Sequence, residues 1–89
     1  MDLRGLAALI AVADAGSVTL AAATLGYTQS AVSRQLAGLE RSVGMQLTVR
    51  VRGGLALTPG GEALVPVARE IVRLWERRAA PQEAAPAVR

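Results

Sequence analysis

The sequence contains no cysteine and no histidine. These two absences remove a thiol nucleophile, a disulfide framework, a Cys/His zinc site and any Ser-His-Asp arrangement. Phenylalanine and lysine are also missing, and the aromatic side chains are Trp75 and Tyr27. The seven acidic residues are scattered, with no cluster of acid, base and nucleophile, so nothing points to an enzyme, a metal or a cofactor. With 89 residues there is room for one domain, which excludes a two-domain enzyme within this sequence. Long apolar runs are lacking too. The run Leu6 to Ala13 follows Arg4 and resembles the core of a signal peptide, yet Asp2 spoils a basic leader and Asp14 sits where cleavage would fall. It is too short to span a bilayer. Leu3, Leu6, Leu9, Ile10 and Ala13 recur at helical spacing, which predicts a core helix. With no export signal and no cysteine, the expected location is the cytoplasm, with no membrane association.

Hydrophobic residues make up 52% of the chain, enough for one small core and too much for a disordered polymer. The net charge is +3, and all ten basic residues are Arg. Arginine suits bidentate contacts to phosphate and guanine. A GC-rich genome, which favours Ala, Arg and Gly together, produces the same bias.

Punctuation divides the chain into helices and one hairpin. A first helix is expected from Asp2 to Asp14, ending before Gly16. Ser17 is positioned to cap a short second helix, Val18 to Leu25, that stops at Gly26. Thr28 is positioned to cap a third, Gln29 to Val43, closed by Gly44. Within it Val32, Leu36, Leu39 and Val43 form one apolar stripe, leaving Gln29, Ser30, Ser33, Arg34 and Arg41 facing out. The period then changes to two: Leu47, Val49 and Val51 alternate with Thr48, Arg50 and Arg52, and Gly53-Gly54 precede Leu55-Ala56-Leu57. That pattern predicts a β-hairpin turning at the paired glycines. Thr58 and Pro59 open a fourth helix, with Glu62 in its first turn. Pro66 removes one backbone hydrogen bond inside it and is expected to bend it. From Ala79 the composition turns Ala/Pro-rich, which reads as a frayed or disordered tail.

The order helix, helix, tight turn, helix, hairpin, long helix predicts a mainly α winged helix-turn-helix: a three-helix core, a two-stranded wing and a C-terminal linker helix. The expected division is a DNA-binding unit at 1–58, a linker and dimerisation helix at 59–78, and the tail at 79–89. Ala21 and Ala22 are small where the second and third helices must approach. Gln29, Ser30, Ser33 and Arg34 on the exposed start of the third helix suit a major groove, where Gln bonds adenine and Arg bonds guanine in bidentate fashion. Free N–H groups at the helix start suit a phosphate. A Gln/Ser/Arg face on a lone helix would simply be solvated. Here the helix follows a Gly turn and precedes a hairpin carrying Arg50 and Arg52, which favours nucleic acid.

The segment from Gly16 through Glu40, Gly-Ser-Val-Thr-Leu-Ala-Ala-Ala-Thr-Leu-Gly-Tyr-Thr-Gln-Ser-Ala-Val-Ser-Arg-Gln-Leu-Ala-Gly-Leu-Glu, resembles the DNA-binding segment of LysR-type transcriptional regulators. The likeness continues through Gly44, Gln46-Leu47, Arg50, Leu57-Thr58 and Gly61-Glu62-Ala63-Leu64, and runs to about residue 78. It implies that Gln29, Ser33 and Arg34 occupy base- or phosphate-contacting positions, that Thr28 caps the groove helix and touches the backbone, and that the hairpin is the wing. It also implies that the fourth helix pairs with its twin in a homodimer on a pseudo-palindromic double-stranded operator. Several residues depart from the family pattern. Ser30 stands where Pro is usual and Leu20 where Arg is usual. Val18 and Thr48 replace a family Phe, and Arg52-Gly53 replaces the wing's Gly-Arg. The family's effector-binding domain, which follows the linker helix, has no counterpart here. The expectation is therefore an excised or naturally short DNA-binding domain without a small-molecule site.

The fourth helix carries Leu64, Val67, Ile71 and Leu74 at spacings of three, four and three, with Trp75 beside them. These residues could all pack on the first helix of the same chain. A stripe this long on so small a domain instead favours a second copy. Two other readings compete for the whole chain. The winged domain of molybdate-responsive regulators differs through Thr28 to Arg34. A protein-interaction module on the same fold would present an acidic or apolar face in place of Gln29, Ser33 and Arg34.

Overall fold

A computed structural model describes residues 2–88, with side-chain surroundings through residue 78. The elements in order are α1 (Leu3–Ala15), α2 (Val18–Leu25), α3 (Gln29–Val43), β1 (Thr48–Val51), β2 (Gly54–Leu57) and α4 (Pro59–Val88). This is a mainly helical winged helix-turn-helix. Each of the first three helices starts at a side-chain cap and ends at a left-handed glycine. The Asp2 carboxylate accepts from the Arg4 amide, Ser17 from the Leu20 amide and Thr28 from the Ala31 amide. Each such bond satisfies a donor that the first turn leaves orphaned. Gly26, at φ +73°, turns the chain between α2 and α3, a conformation that a side chain would strain. The Tyr27 amide then reaches back to the Ala22 carbonyl, closing the helix end.

The core lies where α1 packs against the other three helices. Leu6, Leu9 and Val12 from α1 meet Ala21 and Ala22, then Val32, Leu36 and Leu39, and finally Val65 and Ala68 of α4. Leu47 is wholly buried just ahead of β1. Ala21 and Ala22, at 0% and 4% exposed, let α2 lie close to its neighbours.

The hairpin differs from the sequence expectation in two respects. Its two-residue loop is Arg52-Gly53, because Gly54 already pairs with Val51. A turn that needs positive φ only at its second residue can begin on Arg52 and use Gly53, at φ +87°. The period of two holds, but the faces are inverted relative to hydrophobicity. Val49 and Val51 are 40% and 49% exposed, whereas Thr48, Arg50 and Leu55 line a groove with α3. A lone two-stranded ribbon has only one face to press on the core, and the register puts Leu55 and Leu57 of β2 on it opposite Arg50 and Thr48 of β1.

In α4, Thr58 caps the start. Its hydroxyl accepts from the Gly61 amide and donates to the Gln46 carbonyl at 2.7 Å. Gly61 is needed there for close approach, since a Cβ would stand 2.1 Å from the Leu47 carbonyl oxygen. The helix continues through Pro66 and on to Val88, past Ala79 where the sequence suggested a disordered tail. Ala79, Ala80, Gln82, Glu83, Ala84 and Ala85 favour helix, while Pro81 and Pro86 each remove a backbone donor from it. The side chains of 79–89 lie outside the described residues.

The face that α4 turns inward also needs correcting. Val65 and Ala68 are its buried residues, with Leu64, Ile71 and Val72 partly buried beside them. The expected stripe is therefore split: Leu64 and Ile71 pack on their own chain, while Val67, Leu74 and Trp75 stand about half exposed, at 50%, 51% and 49%. Residues seven apart lie within about 20° of one another on a 3.6-residue helix, whereas residues three apart differ by about 60°, so Leu64 with Ile71 and Val67 with Leu74 take different faces. An Asp14–Arg69 pair ties α1 to α4, with a second hydrogen bond between them at 3.3 Å. The Arg69 hydrogen bond holds the Asp14 carboxyl below its ordinary value of 3.8.

Candidate nucleic-acid interface

The start of α3 is the most polar exposed helical surface near the hairpin. Thr28, Gln29, Ser30, Ser33 and Arg34 are all exposed. Thr28 holds the helix end in place through its hydroxyl, 3.0 Å from the Ala31 amide. Residues four apart share a face, so α3 presents two rows. Gln29 and Ser33 make one row and Ser30 and Arg34 the other.

The structure places Gln29 and Ser33 in one groove and Arg34 in another. Gln29 and Ser33 line a pocket of about 180 Å³ together with Ser17, Val18 and Thr19 of the α2 start and Arg50, Gly53, Gly54 and Leu55 of the hairpin. Three elements thus converge there: the beginnings of α2 and α3 and the inner face of the wing. Arg34 instead lines a larger groove between α3 and the start of α1, with Asp2, Leu3, Gln35, Gly38, Arg41 and Ser42. Arg52 is exposed in the hairpin loop.

Charge is distributed unevenly. Arg4, Arg69 and Arg73 are engaged with Asp2, Asp14 and Glu70. Among the described residues, no carboxylate comes within ion-pair distance of Arg34, Arg41, Arg50 or Arg52. The α3 and hairpin surface therefore carries uncompensated positive charge, which raises the local concentration of a polyanion.

Sequence reasoning missed two contributors. Thr19 is exposed at the convergent pocket, and nothing in its local pattern distinguishes it from a solvated helix residue. Glu40 sits far from the start of α3, yet its carboxylate fastens the hairpin to that helix. One oxygen accepts from the Leu47 amide at 2.8 Å, the Thr48 amide at 3.1 Å and the Thr48 hydroxyl at 3.3 Å. Arg50 is two residues beyond Thr48 on the same face, so Glu40 governs where Arg50 stands relative to Gln29 and Ser33. An exposed-looking Glu followed seven residues later by an apolar strand start was the available signal. Among the described residues there is no group of three or more potential metal ligands, and no helix is long and apolar enough to cross a membrane.

Comparison with known proteins places this geometry in context. The pattern of the family described as bacterial regulatory helix-turn-helix protein, lysR family, matches residues 3–62. The chain is similar to the uncharacterized HTH-type transcriptional regulator Mb2303c of Mycobacterium bovis, 46% identical over 67 residues, which cover 75% of this chain and 20% of that protein. It is also similar to the HTH-type transcriptional regulator MetR of Escherichia coli K12, 40% identical over 72 residues, covering 81% of this chain and 23% of MetR. The chain thus spans about a fifth to a quarter of the length of these curated relatives. Among solved structures, the CbnR_DBD–DNA complex superposes with a TM-score of 0.86 at 37% identity, covering 97% of this chain and 99% of that one.

Proposed function

The chain belongs to the lysR family of bacterial regulatory helix-turn-helix proteins, and we propose that it binds double-stranded DNA in a sequence-dependent manner to regulate transcription. The observation that carries this reading is the convergence of Gln29 and Ser33 of α3 with Arg50 of the hairpin in one pocket, beside arginines that have no carboxylate within ion-pair distance among the described residues. The relative with 37% identity is a DNA complex, and its DNA-binding chain is matched over nearly its full length.

In this reading α3 enters the major groove. Gln29 and Arg34 read base edges, Ser30 and Ser33 reach bases or phosphates, and Thr28 presents its backbone end to a phosphate. Arg50 and Arg52 of the wing lie along the flanking backbone and minor groove, where the potential favours arginine. Two copies pair through α4, with Val67, Leu74 and Trp75 at the centre and Leu64 and Ile71 at its inner margin. A two-fold pair meets a pseudo-palindromic operator. Such a regulator works in the bacterial cytoplasm, where the DNA is, and carries out no catalysis.

Two substitutions test the division of labour. Arg34→Ala is expected to cost roughly 1–3 kcal/mol on a preferred duplex and to relax preference at one base step. Equal losses on preferred and random DNA would remove its base-reading role. Arg50→Ala is expected to shallow the slope of log K against log salt by about one. An unchanged slope with reduced affinity would remove the wing's phosphate role.

A further inference from the structure

Gly38 is a feature of α3 that the fold does not explain. It lies in the interior of a 15-residue helix, where glycine is less favourable than almost any other residue. Its φ is not positive, so the backbone does not require it. Nor does packing: a Cβ there would meet only the Arg41 guanidinium, at an ordinary 3.7 Å. The position lines a groove of about 910 Å³ between α3 and the start of α1. Arg34 lies four residues before it and Arg41 three after, on the solvent side of the helix. Both are without a carboxylate partner among the described residues, and Asp2 on the opposite wall is already engaged by Arg4.

Distance along the helix indicates what could fill this groove. Gly38 is nine residues from Gln29, about 14 Å at the α-helical rise. The major groove is about 12 Å wide. With the Gln29 end among base edges, Gly38 and Arg41 fall at the rim, where the strand's phosphates are. We propose that the groove between α1 and α3 seats one sugar–phosphate strand of the duplex, with Gly38 as the bare contact point and Arg41 as the counter-charge. This rests on the DNA-binding reading and adds to it a backbone seat separate from the pocket of Gln29, Ser33 and Arg50. Missing side-chain bulk at Gly38 lets the strand lie against the helix, and Gln35 and Ser42 offer hydrogen bonds along its path. The position of Arg41 in the last turn also suits the helix dipole, but that accounts for neither the glycine nor the groove.

The test uses Gly38→Gln, Gly38→Ala and Arg41→Gln in this chain. Thermal melting is measured alongside titration with a duplex selected from a random pool and with a random duplex, at several salt concentrations. Both Gly38 variants replace glycine by a better helix former, so they are expected to melt at or above the unchanged chain. Gly38→Gln is nevertheless expected to bind DNA about tenfold more weakly, the equivalent of about 1.4 kcal/mol, with a smaller loss for Gly38→Ala. Arg41→Gln is expected to lose affinity equally on both duplexes and to shallow the salt slope by about one. Binding by Gly38→Gln equal to the unchanged chain overturns the seat, as does an unaltered salt slope in Arg41→Gln. So does a loss confined to Gly38→Gln and accompanied by a lowered melting temperature. If the unchanged chain binds no duplex, the DNA-binding reading falls and the seat with it. If it binds and the variants bind alike, only the seat falls.

Discussion

Replacing Glu40 should damage the hairpin more than its place on a half-exposed helix face suggests. In Glu40→Ala the amides of Leu47 and Thr48 lose their acceptor, as does the Thr48 hydroxyl. An orphaned buried donor costs about 1–3 kcal/mol. Leu47 is fully buried and Thr48 half-buried, so water can replace part of the loss at Thr48 and little of it at Leu47. The expected destabilisation is therefore about 2–4 kcal/mol, a large share of the roughly 5–15 kcal/mol that a domain possesses. Glu40→Gln keeps a carbonyl oxygen in the same place and loses only the charge assistance, so about 1 kcal/mol is expected. Urea denaturation followed by circular dichroism gives both values, and an unchanged m-value certifies that the unfolding transition is the same one. On DNA, Glu40→Gln should bind nearly as well as the unchanged chain, while Glu40→Ala should show the shallower salt dependence of a chain whose Arg50 is no longer held in place. Equal midpoints for Glu40→Ala and the unchanged protein would refute this account of how the wing is fixed. So would equal losses in Ala and Gln, which would mean that the acceptor oxygen is immaterial.

Three further outcomes are expected. Gly61→Ala should destabilise by about 1–3 kcal/mol despite alanine's better helix propensity, because its Cβ would stand 2.1 Å from the pinned Leu47 carbonyl, and a denaturation midpoint no lower than wild type would contradict this. Val67→Glu with Leu74→Glu should leave the monomer folded by circular dichroism, since both side chains are half exposed, with the melting temperature falling only by what the lost pairing contributed, yet convert a sedimenting dimer to monomer and weaken a two-half-site duplex more than a single half-site. A monomer already at high concentration, with full half-site affinity, would contradict the pairing. The Asp14 carboxyl is held below its ordinary 3.8 by Arg69, so the stability it confers is complete above 3.8 and disappears as pH falls through the lower folded value. Asp14→Asn should therefore flatten the acid limb of the melting temperature against pH, and an identical limb would show the pair to be idle.

The helix ends were legible because each rests on local chemistry: Ser17 and Thr28 cap, and Gly26 and Gly44 terminate. The apolar stripe of α3 was equally clear, since Val32, Leu36 and Leu39 face a core that covers only one side of that helix. In α4 the same rule gave a less certain answer, because apolar residues there occupy two adjacent faces and only tertiary packing decides which belongs to Val65 and Ala68. The hairpin turn was misplaced by one residue, as Gly53-Gly54 offered two glycines and the register alone settles which one turns. Nor could the sequence divide Gln29 and Ser33 from Arg34, since the grooves that receive them are made by α1, α2 and the wing, remote along the chain. Glu40 was visible as a letter, but its partners, Leu47 and Thr48, are recognised only once the chain has folded back on α3.

The most direct test of sequence-dependent DNA binding is a titration of this chain against a duplex selected from a random pool and against a random duplex of equal length, at matched salt. The expected result is clear preference for the selected duplex, in which substituted base pairs each cost about 1–3 kcal/mol, and a linear fall of log K with log salt. Equal affinity for both duplexes, or no binding to either, would contradict the central claim.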